Sequence, residues 1–164
     1  MKKAHSDGHS IPELLLAVAL LALMALPALQ LAGASLAAQR VESVSRRVVL
    51  GLELGRAAAQ RTGRPCALQL DGEGWREPPG GSLPGCPGVR LPLSGEGSDA
   101  GVQLRHNLPG SVRFTSNGLV LDGGTVVVAA EGTALERCVV MSLPLGVVRL
   151  GRWQNDECRP DPSL

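Results

Sequence analysis

A single carboxylate, Glu13, stands at the mouth of a long apolar stretch. From Leu14 to Gln39 there is no charged residue, and Leu14 to Leu29 is one unbroken apolar run. A lone carboxylate in hydrocarbon costs several kcal/mol unless it finds a partner, so an acid placed there is a functional candidate by default. Nothing else in the chain assembles a reaction. His5, His9 and His106 are scattered, and no Ser or Cys sits in a nucleophile motif. The acid pairs Asp71/Glu73 and Asp156/Glu157 fall in loops, where carboxylates are simply solvated. The glycines mark turns and form no strand–GxGxxG–helix or GxxxxGK[ST] phosphate cradle. Cys66, Cys86, Cys138 and Cys158 make no C-x-x-C pair and have no His at zinc-ligand spacing. No enzyme, metal or cofactor is expected. One binding chemistry is open: Arg149 and Arg152, beside Trp153 and Arg159, could meet phosphates while the indole stacks on a base. Asp156, Glu157 and Asp161 offset that charge, so DNA binding would be feeble, salt-sensitive and indifferent to sequence.

Glu13 must be positioned by the apolar run. At about 1.5 Å per residue that run, as a helix, covers the roughly 30 Å of a bilayer's hydrocarbon core. Pro12 suits a helix start, since it has no N–H to leave unpaired in the first turn. Lys2 and Lys3, with no positive cluster directly after the run, hold the N-terminus in the cytoplasm and send the rest across. A secretory signal peptide cut near Ala32-Gly33-Ala34, or an ordinary signal anchor, would leave Glu13 unexplained. Beyond the run, Val41, Val44, Val48, Leu52 and Ala59 keep a helical spacing, with Arg40, Glu42, Ser45, Arg46, Glu53 and Arg56 assigned to the opposite face. The helix is expected to end at Thr62-Gly63-Arg64-Pro65, with Gly63 as a left-handed cap. Gly33, Gly51 and Gly55 each cost it up to about 1 kcal/mol, and Pro27 removes a hydrogen bond and is expected to kink or loosen it.

Gly8-His9-Ser10-Ile11-Pro12-Glu13-Leu14-Leu15 resembles the processing site of type IV pilins and type II secretion pseudopilins. The resemblance implies a leader, MKKAHSDG, removed by prepilin peptidase after Gly8. It also implies N-methylation at His9, where the family usually has Phe. Glu13, the fifth mature residue, would then pair with the N-terminal amine of a neighbouring subunit, joining two groups that are each costly to bury alone. The chain would be a single-pass inner-membrane protein with its globular domain on the periplasmic side, later drawn into a pilus or pseudopilus. Its partners would be other major and minor pilins or pseudopilins.

After the helix the apolar period becomes two. Cys66–Leu70 reads as a strand and Asp71-Gly72-Glu73-Gly74 as a turn into Trp75. Further strand candidates are Val89–Leu93, Val102–Arg105, Val112–Thr115, Leu119–Leu121, Thr125–Ala130, Cys138–Ser142 and, last, Val147–Leu150. Pro78 to Asp99 is Pro- and Gly-rich and reads as a long surface loop that Cys86 could pin. About 120 residues follow the membrane stretch, enough for one core, which Val, Leu and Ala must build because only Trp75, Trp153 and Phe114 are aromatic. Four cysteines in an exported domain read as disulfides, and of three connectivities the local one, Cys66–Cys86 with Cys138–Cys158, is favoured, free thiols being the alternative. A net charge of +1 exerts no global pull on nucleic acid or a membrane surface.

Leu52–Gly63 resembles the end of the spine helix in FimT/FimU minor pilins and H-type pseudopilins. Asn117-Gly118-Leu119-Val120, Arg137-Cys138-Val139-Val140 and Gly146-Val147-Val148-Arg149 look like that group's late strands. The implied fold is α+β: a long N-terminal helix on a small, mostly antiparallel β domain. Its divisions are a leader (1–8), a membrane and assembly half of the helix (9–38), an amphipathic half (39–63) and a β-rich domain (64–164). The implied function is structural, a minor subunit that starts or caps a type IV pilus; the cysteines tilt it that way. The alternatives are an H-type pseudopilin of type II secretion and a DNA-binding minor pilin of a DNA-uptake apparatus. Some FimT-like proteins bind DNA through Gly-Arg-x-Arg, and here Val147 replaces the first Arg of that motif.

Overall fold

A computed structural model describes residues 11–93, 101–143 and 145–161, with the side chains of residues 23–32 also outside the description. Helix α1 (Ile11–Thr62) runs 52 residues and is unbroken at Pro27. Contacts divide the chain into two compact units, up to Leu36 and from Ala37 onward. In the first unit, residues 11–22 are all exposed.

The second unit is α+β, as expected. Nine strands follow α1: β1 (Cys66–Leu70), β2 (Gly74–Arg76), β3 (Leu91–Pro92), β4 (Val102–His106), β5 (Val112–Phe114), β6 (Gly124–Ala130), β7 (Arg137–Ser142), β8 (Val147–Gln154) and β9 (Glu157–Pro160). They form two sheets, β3-β2-β1-β5 and β4-β6-β7-β8-β9, in which all neighbours are antiparallel. Val41, Val44, Val48 and Leu52 of α1 are buried with Leu68, Val112 and Phe114 of the first sheet and Val126, Val128 and Val139 of the second. Gly63 caps the helix at φ +64°, the left-handed conformation that Gly adopts without Cβ strain.

Four expectations change. Ser45, assigned to the polar face, is fully buried, its hydroxyl donating to the Val41 carbonyl at 2.7 Å. Leu119–Leu121 is no strand, only a single bridge from Phe114 to Val120. Val89–Leu93 shrinks to Leu91–Pro92, where Arg47 of α1 donates to the Leu93 carbonyl at 3.0 Å. The last strand, expected over Val147–Leu150, is longer and is followed by another. β8 continues to Gln154, and Asn155 and Asp156, with φ of 52° and 60°, turn it into β9. Both central residues at positive φ make a two-residue turn whose twist matches the flanking strands.

The cysteines pair locally, Cys66 with Cys86 and Cys138 with Cys158. Cys66–Cys86 pins the Pro/Gly-rich segment to β1, alongside hydrogen bonds Ala67 N to Pro84 O (2.9 Å) and Cys86 N to Ala67 O (3.1 Å). The second bond crosses β8. Strands two apart in a sheet normally lie about 9–10 Å from each other, yet Cys138 and Cys158 have Cα atoms 5.8 Å apart. The β8–β9 hairpin must therefore fold over, and Gly151 makes room for it. A Cβ there would lie 2.3 Å from the Arg159 carbonyl oxygen and 3.2 Å from the Cys158 Sγ.

Candidate assembly site

Glu13 lies in the first turn of α1, where the helix dipole favours a carboxylate, and it is exposed. Around it Ile11, Leu14, Leu15, Leu16, Val18, Leu20 and Leu21 are exposed too, Ile11 at 79%. A helix apolar on every side is stable only in apolar surroundings. Among the described residues no helix is long and apolar enough to cross a membrane, and the second half of the Leu14–Leu29 run falls where side chains are not described. Gly8 and His9 also lie outside the described residues.

The second half of α1 is held to its domain by polar side chains as much as by its apolar stripe. Glu42, assigned to the solvent face, accepts from Arg137 Nε of β7 at 2.8 Å and from Arg46 at 3.1 Å. Arg137 is buried and also bonds Asp161 at 2.5 Å, so one guanidinium ties helix, sheet and chain end together. Its planar fork suits two carboxylates at once. Arg56 donates to the carbonyls of Leu145, at 3.0 Å, and Gly146. Gln60 donates to the Asn117 carbonyl at 3.1 Å. Arg137 gave no sequence signal beyond its place in a strand, because its partners lie 95 residues before it and 24 after.

The two glycines inside this half of α1 mark close approaches. Trp75 lies against Gly51, where a Cβ would sit 2.0 Å from the indole Cδ1, and its Nε1 donates to the Val48 carbonyl at 3.1 Å. Leu68 and Phe114 close on Gly55, each 2.7 Å from where a Cβ would be. The helix gives up propensity at both sites so that the two largest core side chains can reach its backbone.

The candidate DNA contacts are not brought together. Arg149 and Arg152 are three apart on β8, and side chains alternate along a strand, so they point to opposite faces. Arg152 lies 3.7 Å from Asp161, and Arg159 lies 3.7 Å from Glu157. The loop acids are equally local. Asp71 accepts from the Glu73 and Gly74 amides and pairs with Arg76, while Asp156 is a turn residue. No group of three or more metal-ligating side chains occurs among the described residues.

Residues 44–144, from the buried half of α1 through β7, match the family model described as Type II transport protein GspH. The chain belongs to that family. GspH proteins are pseudopilins, structural rather than enzymatic, and membership implies contact with other pseudopilins of the secretion system. No curated protein and no solved structure matches this chain. The match omits Glu13 at one end and Arg149 and Arg152 at the other.

Proposed function

We propose that this GspH-family protein is a pseudopilus subunit of a type II secretion system. Prepilin peptidase cleaves it after Gly8, the apolar half of α1 holds it in the inner membrane, and it then passes into the fibre. The observation that carries the reading is the division of labour within α1. Residues 11–22 are exposed and almost wholly apolar around one carboxylate, whereas Val41–Ala59 are committed to the GspH-matching domain. A helix apolar on every side needs a bilayer or a bundle of like helices. In a bundle Glu13 has a use: pairing with the new N-terminal amine of a neighbour would set the register between subunits and neutralise both charges. The match to type II transport GspH supports secretion over the pilus toward which the cysteines alone lean. The test is N-terminal analysis of the membrane-bound protein. A mature chain beginning at His9 is expected. One beginning near Ser35 would overturn the reading and leave a secreted domain.

A further inference from the structure

The edge strand β9 is held on by few groups. No residue of β9 is buried and none belongs to the core cluster, and its charged pair, Glu157 and Arg159, lies out in solvent 3.7 Å apart. The Trp153 amide donates to the Glu136 carbonyl, so Trp153 faces β7. By alternation along β8, Arg152 and Gln154 then turn their amides and carbonyls toward β9. A four-residue edge strand without an apolar anchor is marginal by itself. Two side-chain links add to its ladder. Cys158 is bonded to Cys138 across β8, and Asp161, just beyond β9, bonds Arg137 at 2.5 Å. Arg137 is the buried guanidinium that also holds Glu42 of α1. The disulfide therefore fixes, from three residues away, one of the two carboxylates on the tie between helix and sheet.

The two disulfides differ in access. Cys66 and Cys86 are 2% and 4% exposed and belong to the core cluster. Their loop is pinned independently by the hydrogen bonds between Ala67 and Pro84 and between Cys86 and Ala67. Cys138 is fully buried, but Cys158 keeps partial exposure, so a thiolate approaches this bond from the Cys158 side. Exposed disulfides are the labile and regulatory ones, and buried ones resist reduction.

We infer that Cys138–Cys158 is a redox latch. A dithiol opens it before Cys66–Cys86, and opening releases β9 from the edge of β8 and Asp161 from Arg137 while the rest of the unit stays folded. One thiolate of the dithiol bonds to Cys158 Sγ as the S–S bond breaks, and Cys138 leaves as a thiolate that takes a proton. The second thiol then displaces Cys158 and closes the reagent's own disulfide, so two electrons and two protons pass to the protein. Closed, the latch covers the edge of β8. Open, it uncovers the N–H and C=O groups of Arg152 and Gln154, an edge on which another strand can pair. The device uses neither Glu13 nor the apolar half of α1, and so stands apart from the pseudopilin reading.

Titrating the full chain in detergent micelles with dithiothreitol, trapping with iodoacetamide and mapping the labels by mass spectrometry tests the order of opening. The first two labels should fall on Cys138 and Cys158. In that half-reduced protein, and in a Cys158→Ser variant, residue-resolved amide exchange should quicken roughly tenfold or more at Arg152 and Gln154 while Trp153, on the β7 side, is unchanged. Asp161→Asn should lower the denaturant midpoint of the oxidised protein and leave that of Cys158→Ser where it is. Labels that appear first on Cys66 and Cys86, or protection at Arg152 and Gln154 that survives reduction, overturns the proposal. So does exchange that rises as much at Trp153 as at its neighbours, or an Asp161→Asn cost that is the same with the bond open.

Discussion

Replacing Gly51 with Ala sets two rules against each other. Helix propensity alone makes it stabilising, by about 1 kcal/mol. The structure reverses the sign. The new Cβ would lie 2.0, 2.2 and 2.5 Å from Cδ1, Nε1 and Cγ of Trp75, well inside van der Waals contact. The indole is 1% exposed and has nowhere to retreat, and any shift breaks its 3.1 Å hydrogen bond to the Val48 carbonyl. Overpacking costs about 1–3 kcal/mol, and a buried N–H left without a partner costs about 1–3 more. Offset by the propensity gain, the expected net loss is about 3 kcal/mol, which for a unit of this size lowers Tm by roughly 10 °C. Thermal and denaturant unfolding, followed by far-ultraviolet circular dichroism, measures it in the full chain in detergent. A Trp75→Leu background removes the ring, and there the same change should become neutral or favourable, a coupling that a double-mutant cycle isolates. If Gly51→Ala is neutral or stabilising in the wild-type background, the close approach of Trp75 does not explain this glycine.

Arg137→Met removes the guanidinium that Glu42 and Asp161 share, leaving Glu42 with Arg46 at 3.1 Å and Asp161 with Arg152 at 3.7 Å. The loss should be roughly 2–3 kcal/mol, short of the full cost for a wholly buried pair because Glu42 keeps some solvent, and adding Glu42→Leu should recover part of it in denaturant unfolding. Side-chain hydrogen bonds from Arg113, at 2.8 and 2.9 Å, hold the Asp122 carboxyl below its ordinary pKa of 3.8. Its contribution to stability is therefore complete above that value and lost as pH falls through the lower folded one, and Asp122→Asn should flatten this part of an acid-unfolding curve. Glu13→Ala makes α1 more apolar, so membrane fractionation should be unchanged while incorporation into fibres, read by cross-linking to neighbours, falls; normal incorporation would remove the pairing role. Gel-shift assays of the full chain should find at most weak DNA binding, lost at physiological salt. Tight binding there that vanishes in an Arg149→Ala, Arg152→Ala double variant would make DNA capture the main function.

Local chemistry determined much of this protein without reference to any distant residue. The apolar run with Glu13 at its head, the helix stop at Gly63, the strand from Cys66 to Leu70 and the turn at Asn117-Gly118 all follow from neighbours along the chain. Pairing cysteines 20 residues apart was legible for the same reason. The β8–β9 hairpin had a local signal too, Asn155-Asp156 between residues able to pair, though its charged strand hides it among loop acids. Only the tertiary structure decided which helix residues are solvent-facing. Two sheets packing on α1 widen its buried arc beyond the apolar stripe, so Ser45 is buried and Glu42, Arg47, Arg56 and Gln60 become ties to strands and loops far away in sequence. Gly51 and Gly55 look like defects until Trp75, Leu68 and Phe114 are placed against them. Arg149 and Arg152 look like a pair until strand alternation turns them apart. In each case the deciding partner is remote in sequence, and a side chain's role depends on what the rest of the chain presses against it.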